Sequence, residues 1–569
     1  MITKGSFVVT NFNISHSTGS LFALDSVESS LCEQIEFHHL HSATVFHFVG
    51  TIASMSNISI LYSDVGVVFE SDNSLILVDS FNSIGLNSST TFKVDSSNVC
   101  VSNFYSITSR SRSMLNGSSS VVHLNDSIIS NMFASCVVEV IDVTLALNYF
   151  KISNSVLTSG IMFMEATNTT FLSVEFQQIN ENLKYPIDFN IIHLLNVRGG
   201  SLFVQNSVFV HIYSNLLLLN SSDVSFQTVQ ISNFFGSSIF NIADSRLGLS
   251  SIILTHSNAD VLLTCLRCNG SMDNLLIDNS SFTSLFHLDY GSMSINTTSL
   301  TKLNTSLVFE SFNSNVTVDH LDQDDLRITK SFLYSELSTV RLSSISITII
   351  RDASGPLFEF DESELSAVHL FLSKIECLLF SFSDSVSNIS ELSLSNLNVS
   401  SVVVNSNSNL TIFDSSFYSI VVQVMVSVDN LSNVTIEEST FSFIDAKSIL
   451  NFNDSTFVLT LSHFNNLNLK HFICLTCSSV FLSNSSTIEL ESSQSLINAD
   501  DSVITINLIE VEDAVLETFL DSNDSTVNMN DVSFISNITL DKSFLIGYKS
   551  DVVFSNLIFF FLRLSMIFH

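Results

Sequence analysis

Residues 434–456 read VTIEESTFSFIDAKSILNFNDST, and the chain then writes nearly the same line three more times. The successors are FVLTLSHFNNLNLKHFICLTCSS (457–479), VFLSNSSTIELESSQSLINADDS (480–502) and VITINLIEVEDAVLETFLDSNDST (503–526). Each opens on a short alternating apolar run, carries a second apolar cluster near its middle and closes on a Ser/Asn/Asp turn. Val434 and Ile436, then Leu450 and Phe452, alternate with a period of two, the pattern of a half-buried strand. Phe, Ile, Val, Leu and Thr fill these runs, which suits strands. No line sustains an i, i+3, i+4, i+7 pattern over helical length.

The same grammar extends upstream through LTIFDSSFYSIVVQVMVSVDNLSN from Leu410, VSFQTVQISNFFGSSIFNIADSR from Val224 and LILVDSFNSIGLNSSTTFKVDSSN from Leu75. The period is about 22–25 residues over about two dozen turns, which reads as a solenoid. A single coil of short strands cannot bury its own inward face. Stacked on neighbours about 4.8 Å apart it buries a continuous core and pairs its backbone in parallel ladders. The expectation is an all-β parallel β-helix over residues 1–569, with Phe441, Phe464 and Phe534 pointing inward. Leucine-rich repeats share the period, and ELSLSNLNVSS from Glu391 looks like one. Their second half is helical, however, whereas here it alternates again. A disordered Ser/Asn tract is excluded by the regular apolar content.

These turns and this period resemble those of right-handed parallel β-helix proteins of the pectin-lyase-like superfamily, including surface repeat proteins of bacteria and protists. The bacterial polymorphic outer-membrane proteins of similar design carry repeated GGAI tetrapeptides, and this chain has none. The resemblance implies either a non-enzymatic surface rod or an enzyme acting on acidic polysaccharides.

Composition narrows the choice. The chain has 569 residues, of which 46% are hydrophobic and only 13% charged, about half the usual charged share. Ser, Thr and Asn are therefore expected to supply the polar surface. The formal net charge of −35 argues against a nucleic-acid partner, which needs clustered Lys and Arg. MITKGSFVVTNFNISH enters the repeat at once, without a signal-like apolar region. The apolar NLIFFFLRLSMIFH at 556–569 is interrupted by Arg563 and is shorter than the roughly 20 residues of a membrane span. Both ends are abrupt, so the expectation is a fragment of a longer chain, with no membrane span of its own. One coil, residues 169–200, runs long and contains Pro186, the mark of a loop leaving the solenoid.

No motif of catalysis emerges. VTVDHLDQDDLRITK gathers Asp319, His320, Asp322, Asp324, Asp325, Arg327 and Lys330. Its acids crowd one coil, whereas paired catalytic carboxylates need a defined separation across a substrate. The polygalacturonases of the superfamily add Gly-His-Gly, which is missing here. CEQIEFHHLH offers Cys32, Glu36, His38, His39 and His41, with 39 and 41 expected on one strand face, but not the four spaced ligands of a structural zinc site. The two C-x-x-C pairs, Cys265/Cys268 and Cys474/Cys477, read as falling at one phase of the repeat, either as local disulfides of an oxidising compartment or as free thiols in place of small inward residues. Cys32, Cys100, Cys136 and Cys377 complete the eight cysteines. There are 21 Asn-x-Ser/Thr sequons, against about thirteen from composition alone, consistent with a surface glycoprotein. The expectation is thus an extracellular or cell-surface β-solenoid, adhesive or structural, with no catalytic, cofactor or metal residues. Its partners would be glycans or surface proteins of host or neighbouring cells. An enzyme would need acidic and basic residues repeated at one phase of neighbouring coils, where Ser and Asn are read instead.

Overall fold

The computed structural model describes residues 2–3, 5–18, 21–181, 193–351, 353–559 and 562–564. They form an all-β parallel solenoid of about 23 turns, 83% strand and without helix. The chain divides into two compact units, Met1–Ser292 and Met293–His569, and each is built on one coil plan.

In the first unit the plan is set by corners. Gly50, Asn57, Tyr62 and Asn73 have φ of 57°, 53°, 47° and 48°. The steps between them are 7, 5 and 11 residues, and Ser80, Gly85 and Ser96 repeat the same steps. Their sum, 23, is the register offset between neighbouring coils, as in Asn98↔Val121. Left-handed backbone at a non-glycine residue is costly, and Asn and Asp bear it best. This is why Asn, Asp and Ser recur where each apolar run stops. Between corners the side chains alternate inward and outward, and each strand pairs in parallel with the strand one coil before and one coil after. Asn98–Ile107, for example, lies between Leu75–Ile84 and Val121–Ser130.

Serine has a second role that composition did not disclose. The residue after the long side's closing corner is commonly a buried serine, such as Ser74, Ser97 and Ser120. Its hydroxyl donates to the carbonyl two residues back, as from Ser97 to Asp95 at 2.7 Å. It also accepts the amide of the matching residue in the preceding coil, as from Ser74 at 3.0 Å. The next link runs from the Ser97 amide to Ser120 at 3.1 Å. In the second unit the column runs through Ser314, Ser338, Ser363, Ser385, Ser408 and Ser432. Much of the serine therefore lies inside, satisfying corner amides, rather than forming the surface. The same corners write sequons: Asn453-Asp454-Ser455 and Asn523-Asp524-Ser525 are strand end, left-handed corner and ladder serine.

The phenylalanines stack along the coils. Phe46, Phe69 and Phe92 are 5.1 and 4.9 Å apart with rings within 7° of parallel. In the second unit Phe417, Phe441 and Phe464 are 4.5 and 4.6 Å apart. Phe441, Phe464 and Phe534 are all buried, as expected.

From Gly50 onward, wherever all three corners are described, the seven- and five-residue sides keep their lengths, as in Asp454–Leu461–Asn466 and Cys477–Asn484–Glu489. Only the long side changes. It measures 11 residues from Asn466 to Cys477, 12 from Asp325 to Leu337 and 13 from Ser536 to Lys549. The long coil follows this rule: Thr169 pairs with Leu202, an offset of 33, and the added residues follow Asn180 on that side. Residues 182–192 with Pro186 lie outside the described residues, as does much of the apolar stretch 556–569.

Candidate binding groove

The long side carries a crease. Along Ser416–Asp429 the inward–outward alternation breaks at Val424, and Met425 and Val426 are both buried. A one-residue change of phase moves every following side chain to the other face, so the strand bends. The register irregularities at Ala134/Cys136, Thr305/Leu307, Leu469/Ile473, Ser492/Ser495 and Leu516/Thr518 all fall at this phase. Bulges of this kind re-aim side chains and are common beside functional sites.

In the second unit the crease opens into a groove of about 540 Å³ over five successive coils. Its floor is Val399, Val422, Ala446 and Leu469. One wall carries Asn398, Val421, Asp445 and Asn468, and the other Ser400, Gln423, Lys447, Lys470 and Ser493. Register pairs Val399↔Val422 and Ala446↔Leu469 hold each wall as a row. Four strand spacings make the groove about 19 Å long. Just before the wall on two of these coils, Tyr418 and Phe443 are half exposed and meet edge to face at 5.3 Å. Gly66, Ser88 and Ser89 lie in the same crease of the first unit, beside His41, Asp64 and Asn87.

Sequence reading placed Ser and Asn at matching phases and missed Asp445, Lys447 and Lys470. The rows emerge only after the left-handed corners set the phase, and the corner residue type varies too much to mark it.

The acids of the stretch from Asp319 to Asp325 are dispersed over their coil. Asp319 contacts its neighbour His320 at 2.9 Å. Asp322 and Asp324 face outward, and Asp325 is itself a left-handed corner. The next coil sets Ser343, Ser346 and Thr348 beside Asp319, Asp322 and Asp324. Lys330 departs from this group. It is the extra residue of a lengthened side and lines a crease pocket with Glu310, Tyr334, Ser354 and Glu359. Burial, then the nearby Asp361, raises the Glu359 carboxyl above its usual range. Burial, then a 3.0 Å hydrogen bond to Glu336, pushes the Tyr334 phenol to about 12.

Two expectations need correction. His39 is a left-handed corner and His41 starts the next strand, so they do not share a strand face. His39 instead stacks between His16 and Tyr62, at 5.2 and 5.9 Å, while Cys32 is buried and its thiol is pushed up to about 11. The C-x-x-C pairs are one residue out of phase. Cys268 stands where a ladder serine would, after the corner Arg267, and is disulfide-bonded to inward Cys265. Cys477 is itself the corner, and Cys474, beside Asn451, faces outward with a free thiol. Among the described residues no group of three or more His, Cys, Asp or Glu is placed to hold a metal ion.

The sequence matches no known family and no curated protein.

Proposed function

We propose that the chain is a non-enzymatic, extracellular or cell-surface β-solenoid of the pectin-lyase-like kind that adheres through its crease to a saccharide chain. The groove from Asn398 to Ser493 carries this reading. It offers amides, hydroxyls and ammonium groups on successive rungs, and the strand spacing is close to the repeat of an extended hexose chain. Its floor of Val399, Val422, Ala446 and Leu469 carries none of the Trp, Tyr or Arg anchors of protein–protein hot spots. The half-exposed Tyr418 and Phe443 supply ring faces at its lip. A disulfide at Cys265–Cys268 suits an oxidising compartment. The test is binding to immobilised polysaccharides: Gln423→Ala and Asn468→Ala should each weaken retention without changing the melting temperature. Retention that ignores both substitutions would refute the assignment.

One observation favours a polysaccharide hydrolase as the second reading. Glu310, Tyr334 and Glu359 occupy consecutive rungs beside Lys330, which places the two carboxylates roughly 10 Å apart, near the separation used by inverting glycosidases. In that case Glu359 would be the acid and Glu310 the base. New reducing ends released from a polysaccharide and abolished by Glu359→Gln would establish it; an unaffected or undetectable activity would remove it.

A further inference from the structure

We propose that Lys447 and Lys470 form a seat for a tetrahedral oxyanion, the sulfate or phosphate monoester of the bound saccharide; this rests on reading the groove as a saccharide site. Four cations of the solenoid are set beside acids one coil away. Lys93 meets Glu70 at 2.7 Å, Lys151 meets Glu175 at 2.9 Å, and Arg267 meets Asp244 at 2.7 Å. Lys542 likewise pairs with Glu517. Lys447 and Lys470 are placed differently, side by side on one wall of the groove. The flanking register pairs Ala446↔Leu469 and Ser448↔His471 put them on adjacent rungs, about 4.8 Å apart, where like charges repel. Neither lysine forms an ion pair among the described residues, not even with Asp445 on the opposite wall. In a chain with 20 basic and 55 acidic residues, two adjacent unpaired lysines in a groove are an arrangement that an anion would complete.

The paired geometry favours an anion with several oxygens. Each ammonium is a compact charge with three rotatable donors, and the three terminal oxygens of a sulfate or phosphate monoester let two such groups on adjacent rungs bind separate oxygens of one anion. Gln423 and Ser493 continue the same wall on either side and can donate to the sugar hydroxyls. The net charge of −35 opposes polyanions at long range. At physiological ionic strength, however, charges beyond about 8 Å are largely screened, and contact with the lysine pair survives.

The experiment titrates the full chain with a sulfated galactan oligosaccharide, its desulfated parent and its phosphorylated counterpart. The sulfated or phosphorylated form should bind at least about tenfold tighter than the parent, the worth of one charge-assisted contact. Which ester binds better identifies the source. Lys447→Gln and Lys470→Gln should each remove that advantage, and Asp445→Asn should strengthen it. Without saccharide, either Lys→Gln variant should melt at the same or a slightly higher temperature, because a repulsion is relieved. Equal binding of ester and parent, insensitive to the lysines, would overturn the oxyanion seat and leave the saccharide groove standing. Binding of none of the three would overturn both. A lowered melting temperature in both lysine variants would mark the pair as structural and overturn the seat as well.

Discussion

Ser97 shows how much a single hydroxyl does in this molecule. It is buried, accepts the Ser74 amide at 3.0 Å and donates to the Asp95 carbonyl at 2.7 Å. Ser97→Ala would leave a buried corner amide without an acceptor, at a cost of about 1–3 kcal/mol. Chemical denaturation should show that loss, while an exposed strand serine such as Ser89 should cost little. Glu70 makes a pH prediction at the same scale. The hydrogen bond from Lys93, aided by His47, holds its carboxyl below the ordinary 4.5. The unfolded chain therefore binds the proton more readily, and stability rises with pH across that window. Stabilisation is present above about 4.5 and is lost as pH falls through the depressed folded value. Glu70→Gln should flatten this part of the acid-unfolding curve, and an unchanged curve would refute the coupling. Burial of the phenylalanine clusters was legible from alternation, since Phe464 sits where the period placed it. The serine ladder was not, because a turn serine and a buried corner serine have the same local sequence.

At the scale of one side of a coil, the difference between fixed and variable lengths organises the fold. The seven- and five-residue sides are closed by corners whose amides bond to the next coil, as from Leu461 to the Ser483 carbonyl at 3.1 Å. Adding a residue there would shift register and turn inward side chains outward. The long side already bends at the crease and absorbs an extra residue as a bulge. Inserting a single Gly between Ser493 and Gln494 should therefore preserve cooperative unfolding within about 1 kcal/mol, the scale of a small loop-length change. The same insertion between Ser462 and His463 should abolish it. Equal tolerance at the two positions would contradict the rule. The core makes a sharper demand: Phe464, stacked on Phe441 and edge-on to Phe472 at 4.9 Å, should cost about 3–5 kcal/mol when replaced by Ala. The repeat length was readable from the sequence, but its division into 7, 5 and a variable remainder was not. Leu461, Phe443 and Cys477 hold the same backbone as Asn and Asp, so no residue type reports the corner.

Across the whole molecule the low charge and the abundance of serine have one explanation. Parallel ladders and serine columns satisfy the backbone internally, so few charges are needed to solvate it, and those present are mostly acids scattered outward. Against that acidic background the second-unit groove sets two lysines, Lys447 and Lys470, on adjacent rungs across from Asp445. The candidate site was invisible in the sequence for this reason: its residues are about 23 positions apart, and only the coil brings them into rows. The adhesive reading comes down to whether ligand covers this crease or another side. Lysine acetylation with mass-spectrometric readout, in the presence and absence of the sulfated galactan, measures this directly. Our account requires protection of Lys447 and Lys470 with Lys374 and Lys93 still labelled. Protection confined to Lys374 and Lys93, or uniform labelling despite saturating binding, would contradict it.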